Sequence, residues 1–155
     1  MLEAFADGLQ GSALSQMLRA SIWLYPLVNT GHVVGIALLF GGIVPLDLRL
    51  AGCWRGVPID QLARISIPVA MFGLVLAAST GALLFATRPL DYVGEPLFGF
   101  KMALVAAALL NALALRRFGR LAASAAPRPA WRTAGIVSIV LWLGVIACGR
   151  LIGYR

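Results

Sequence analysis

Charge is scarce in this chain. Of 155 residues only 12% are Asp, Glu, Lys or Arg, while 61% are hydrophobic. A soluble domain of this size is nearer half apolar and a quarter charged, so a soluble globular fold is excluded. The six acidic residues all fall outside the long apolar runs, which leaves a proton-coupled transporter few relay groups. Histidine occurs once, at His32, and that excludes a bis-His haem site within one subunit. Cys53 and Cys148 fall at opposite ends of the runs that contain or flank them, so no intrachain disulfide is expected. The four methionines are scattered, whereas Cu(I) transport usually needs clustered soft ligands. No basic stretch precedes an apolar core at the amino terminus, which carries Glu3 and Asp7 instead. It does not read as a cleaved signal peptide.

What is present is four long apolar blocks, over about 22–46, 65–87, 96–117 and 132–153. Each is long enough for roughly 30 Å of hydrocarbon. The fold class is therefore all-α, a polytopic membrane four-helix bundle over 22–155. Residues 1–21 carry Leu2, Phe5, Leu9, Leu14, Met17 and Leu18 at helical spacing, broken at Gly8 and Gly11-Ser12. They predict an amphipathic interfacial segment of one or two short helices lying on the membrane surface. Trp23 and Tyr25 mark the interface. In the first block Gly41-Gly42 and Pro45 predict a kink or an unwound last turn. Pro68 is placed early in the second span, where a helix tolerates it. Gly31 and Gly35 flank His32, and Gly73, Ala77 and Gly81 form a second small-residue stripe; both admit close helix approach.

The net charge of +7 comes from twelve Arg and one Lys. Most of these cations lie beside the spans, where they set topology and meet anionic lipid rather than nucleic acid. Arg49, Arg55, Arg64, Arg116, Arg117, Arg120, Arg128 and Arg132 gather on one side; Arg19, Arg88, Arg150 and Arg155 lie on the other. The positive-inside rule then places both termini outside, periplasmic in a bacterial inner membrane.

Depth follows from the helical rise of about 1.5 Å per residue. His32 lies roughly 15 Å below the outer surface, Thr80 about 10 Å and Lys101 about 7 Å, with Arg150 shallower. Tyr25, Asn29, His32, Ser79, Thr80, Lys101 and Arg150 thus share the outer half, against Asn111 and Ser138 in the inner half. The pattern predicts an outward-opening pocket with His32 at its floor and cations at its mouth. Simpler roles stand beside this one. His32 can merely hydrogen-bond a carbonyl or Thr80, Lys101 can snorkel, Asn29 can orient the ring or bridge helices, and Arg150 can pair with Asp91 or Glu95. Asp47 and Arg49 close the first span, as a local salt bridge or helix end.

Leu24-Tyr25-Pro26-Leu27-Val28, Gly31-His32-Val33-Val34-Gly35, Asp47-Leu48-Arg49-Leu50-Ala51-Gly52, Ser79-Thr80-Gly81 and Glu95-Pro96-Leu97-Phe98-Gly99-Phe100-Lys101-Met102 together resemble an uncharacterised family of small four-span bacterial membrane proteins. More distantly, His32 followed by glycines, with Lys101 near the start of the third span, is similar to the copper-resistance D-type membrane proteins. The same pair is similar to the four-helix membrane protoporphyrinogen oxidases, which bind haem b and rely on such a His and Lys.

The resemblance implies haem b, with His32 as axial and metal ligand and a redox or electron-transfer role. The cofactor-binding set is then His32, Lys101, Arg150, Asn29, Thr80 and Gly35. Lys101 and Arg150, with Arg88 nearby, would hold propionates, and Gly31, Gly35, Gly73 and Gly81 would make room for the macrocycle. The sixth position would be open, or filled by Met, Lys, a small molecule or His32 of a second subunit in a homodimer or higher oligomer. Electrons would pass between a quinone and a periplasmic redox partner, or a porphyrin-like substrate would be oxidised. Copper handling is an alternative, as is a cofactor-free accessory subunit whose small-residue stripes bind partner helices.

Overall fold

The computed structural model describes residues 7–121 and 129–154. Leu2, Phe5, Arg128, Arg155 and the side chain of Arg120 lie outside the described residues. Of the described residues 88% are helical, and none lies in a strand. Residues 7–10 are helical, and the chain breaks at Gly11-Ser12 as the sequence predicts. α1 (Ala13–Ala20) starts where the Ser12 hydroxyl accepts the Ser15 N–H at 3.2 Å. This cap satisfies one of the four free donors of the first turn. α1 buries Ser15 and Leu18 against the ends of the next two helices and leaves Leu14 and Met17 exposed, the disposition of a helix lying in an interface.

Among the described residues four helices are long and apolar enough to cross a membrane: α2 (Leu24–Ala51), α3 (Ile59–Thr87), α5 (Pro96–Leu121) and α6 (Pro129–Ile152). A short α4 (Pro89–Val93) joins α3 to α5. α2 packs against both α3 and α6, and α5 packs against α6. At the α1 end, Phe85 of α3, Tyr92 of α4 and Phe98 of α5 close the remaining side, with Phe85 and Phe98 stacked at 5.5 Å between centroids. The centre is filled by Leu39, Ala70, Ala108, Trp142 and Val145.

Two expectations need correction. The last turn of the first span does not unwind: α2 runs as one helix through Pro45 to Ala51. Pro68 is not in an opening turn but ten residues into α3, which begins at Ile59. Each proline removes one helical N–H, yet in hydrocarbon the helix remains the only way to pair the other backbone groups. The 28 residues of α2 span roughly 42 Å, more than the apolar layer needs. His32 therefore lies about 12 Å into the helix, in the third nearer α1, and the added turns belong to the arginine-rich end.

Glycine decides the tightest interface. A Cβ on Gly35 would lie 2.6 Å from the Ala77 nitrogen, and one on Gly42 would lie 2.7 Å from the Ala70 nitrogen. A Cβ on Gly73 would collide with the Leu39 nitrogen. These contacts place the α2 and α3 backbones against each other in antiparallel register. Lipid tails are as apolar as leucine, so this closeness, rather than expulsion of apolar surface from water, holds the pair.

Candidate functional site

The imidazole of His32 lies in the α2–α3 seam. It packs over Gly81, where an added Cβ would stand 3.0 Å from the ring's Cε1. Its Nδ1 is 2.9 Å from the Ala77 carbonyl oxygen and 3.2 Å from the Thr80 hydroxyl. The Thr80 hydroxyl sits 2.6 Å from the Leu76 carbonyl, to which it donates its proton. Both neighbours of Nδ1 are then acceptors, so Nδ1 carries a proton and donates it, chiefly to Ala77. The neutral ring consequently has its lone pair on Nε2, which has no hydrogen-bond partner among the described residues. A ring fixed through Nδ1–H to a backbone carbonyl is the outer-shell arrangement that orients a ligating histidine.

Lys101, on the second turn of α5, is half-buried. Its stem lies over Gly149 of α6, with Nζ 3.5 Å from where a Cβ would be. The structure thus brings His32 and Thr80 together across the α2–α3 seam, whereas Lys101 lies in the α5–α6 contact. Asn29 is exposed on α2. Arg150 is also exposed, with its guanidinium 2.7 Å from the Tyr154 hydroxyl and 4.5 Å above that ring. Ser79 is exposed and donates back to Val75 of its own helix. Gly35 and Gly73 sit in the closed α2–α3 contact, with Gly31 against Thr80 and Gly81 against His32. The two small-residue stripes face each other rather than an open slot. The Tyr92 phenol, outside the spans, is pushed above its ordinary value first by burial and then by Tyr25. Arg88 opposes that shift and Asp91 adds to it.

Asp47 departs furthest from its expected place. It does not end a span; it is 4% exposed between α2 and α6. Arg49 turns away, donating to the Val57 and Arg55 carbonyls at 2.7 and 3.1 Å. The Ser138 hydroxyl, itself 3% exposed, faces the Asp47 carboxyl, while Oδ2 has no hydrogen-bond partner among the described residues. Gly135 makes this contact: its missing side chain lets the Asp47 carbonyl oxygen come within 2.6 Å of the Cβ position. The signal was in the sequence: Ile43, Leu46, Asp47 and Leu50 share one face at helical spacing once α2 continues past Pro45. Ser138→Ala is expected to cost about 2 kcal/mol, because it leaves a buried carboxyl without its hydroxyl partner. Ser79→Ala should cost under half as much. Unfolding of both variants in mixed detergent checks the difference.

Cys53 is exposed and Cys148 buried, and both are free. Among the described residues no three His, Cys, Asp or Glu side chains cluster to hold a metal ion. No protein-family model, curated protein or solved structure matches the chain. The four spans and the bundle define a multi-pass membrane protein.

Proposed function

We propose that this chain is a b-type haem protein of the bacterial inner membrane, with both termini periplasmic and His32 as axial ligand through Nε2. One observation carries the reading: Nδ1–H is held by the Ala77 carbonyl, with Thr80 beside it, and Nε2 is left unbonded. Lys101, half-buried in the second turn of α5 at the same end of the bundle as His32, would supply the cation for a propionate. The likeness of His32 and Lys101 to the pair in four-helix membrane protoporphyrinogen oxidases supports the same assignment. The glycines and Arg150 carry no part of it, since the former close the α2–α3 seam and the latter sits on Tyr154.

Bound haem would supply a one-electron iron couple. The protein's contribution would be to hold the imidazole's tautomer and orientation, and to place one ammonium at the same end of the bundle. The core of Leu39, Ala70, Ala108, Trp142 and Val145 fills the bundle centre below the site, which keeps that electron chemistry at the outer end, facing a quinone or a periplasmic partner. With one histidine per chain, the position opposite His32 is open to a small molecule or is filled from a second copy. Protein purified from haem-replete cells is expected to show a Soret band and sharp reduced α and β bands. A colourless, haem-free preparation would end the reading.

A further inference from the structure

At the arginine-rich end, opposite His32, the structure holds a cleft of about 500 Å³ between the end of α2, the following loop and the start of α6. Its walls include Arg49, Arg55, Arg132 and Trp131, and among the described residues no carboxylate lines it. Local structure fixes these cations. α2 stops at Gly52, whose φ of 110° is left-handed, a conformation glycine adopts freely. The turn donates Gly52 N–H to Arg49 O and Cys53 N–H to Leu48 O, at 3.2 and 3.0 Å, so the negative end of the helix is partly capped. It also swings Arg55 back, with Nη2 3.8 Å from the position a Gly52 Cβ would occupy. Arg49 is tied to the loop carbonyls of Val57 and Arg55. Arg132 enters from the first turn of α6, which opens at Pro129.

Three guanidiniums around one cleft, without a carboxylate in its lining, demand an anion. Arg49 is held by the loop carbonyls and contributes its charge, while the guanidinium forks of Arg55 and Arg132 match phosphate oxygens. The level in the membrane selects the source. The cleft sits at the ends of apolar spans, where lipid phosphates are concentrated. Trp131 lines it, Trp54 beside it is 56% exposed, and tryptophan settles at the headgroup layer. Leu50 and Ile59 add an apolar wall for the carbons next to a headgroup. We infer that this cleft is a binding site for the phosphate of an anionic phospholipid.

Native mass spectrometry of the full chain tests this, with phosphatidylglycerol or phosphatidylcholine titrated into detergent. The comparison is wild type against Arg55→Gln/Arg132→Gln, two exposed positions outside the bundle core. Wild type should retain one phosphatidylglycerol in preference to phosphatidylcholine. The double variant, helical by circular dichroism, should bind phosphatidylglycerol about thirtyfold more weakly, from two lost arginine–lipid attractions. Equal binding of the two lipids, or equal binding by variant and wild type, overturns the site. Displacement of the lipid by millimolar inorganic phosphate overturns the lipid assignment and makes the cleft a free-phosphate site. The single-arginine variant Arg132→Gln, expected near fivefold, serves if the double variant does not fold.

Discussion

Gly73→Ala is expected to destabilise the protein by about 3 kcal/mol, the upper end for an added core methyl. The new Cβ would collide with the Leu39 nitrogen and lie 2.7 Å from the Gly35 carbonyl oxygen and 2.8 Å from the Leu38 carbonyl carbon. All three are backbone atoms of α2, so no side-chain rotation relieves the contact. The helices must separate along the seam that holds His32, Thr80 and Ala77. Gly41→Ala is the control, because nothing lies within 4 Å of its Cβ position. It should be neutral or stabilising by up to about 1 kcal/mol, the ordinary helix preference for alanine. Denaturation of both variants in increasing SDS separates the cases. Equal midpoints would show that the α2–α3 backbone contact does not hold the bundle.

The spans were legible because hydrocarbon imposes length and apolarity, and the α1 break was legible because glycine and serine interrupt and cap helices. The reach of α2 and α3 at the arginine-rich end was not. Pro45 stands at the end of the predicted first span and Pro68 near the start of the predicted second, yet each helix runs on beyond its proline. Asp47 was hidden by the same error. The pocket was legible only by depth, and depth does not give direction around a helix. Asn29 and Ser79 share the level of His32 and Thr80 but face outward. Gly31 and Gly35 were legible as a surface for close helix approach, and the structure supplies α3 as the helix that lies on them. The Nδ1 bond of His32 to a backbone carbonyl leaves no trace in side-chain identities at all.

If the chain binds haem as proposed, His32→Ala is expected to lose the cofactor entirely, because the sequence holds no other histidine to replace it. Thr80→Val separates ligation from positioning. It removes the hydroxyl 3.2 Å from Nδ1 and leaves the Ala77 carbonyl at 2.9 Å. The ring keeps its tautomer, so haem content should persist while the midpoint potential shifts, as outer-shell changes do. Loss of haem in Thr80→Val to the level of His32→Ala would mean that Thr80, rather than the backbone carbonyl, sets the ring.

The reduced-minus-oxidised visible spectrum of wild type against His32→Ala, both purified from haem-replete cells and equally helical, tests the central claim most directly. Ligation through Nε2 of His32 predicts sharp α and β bands in the wild type and none in the variant. The same bands in both proteins, or none in either, would contradict it.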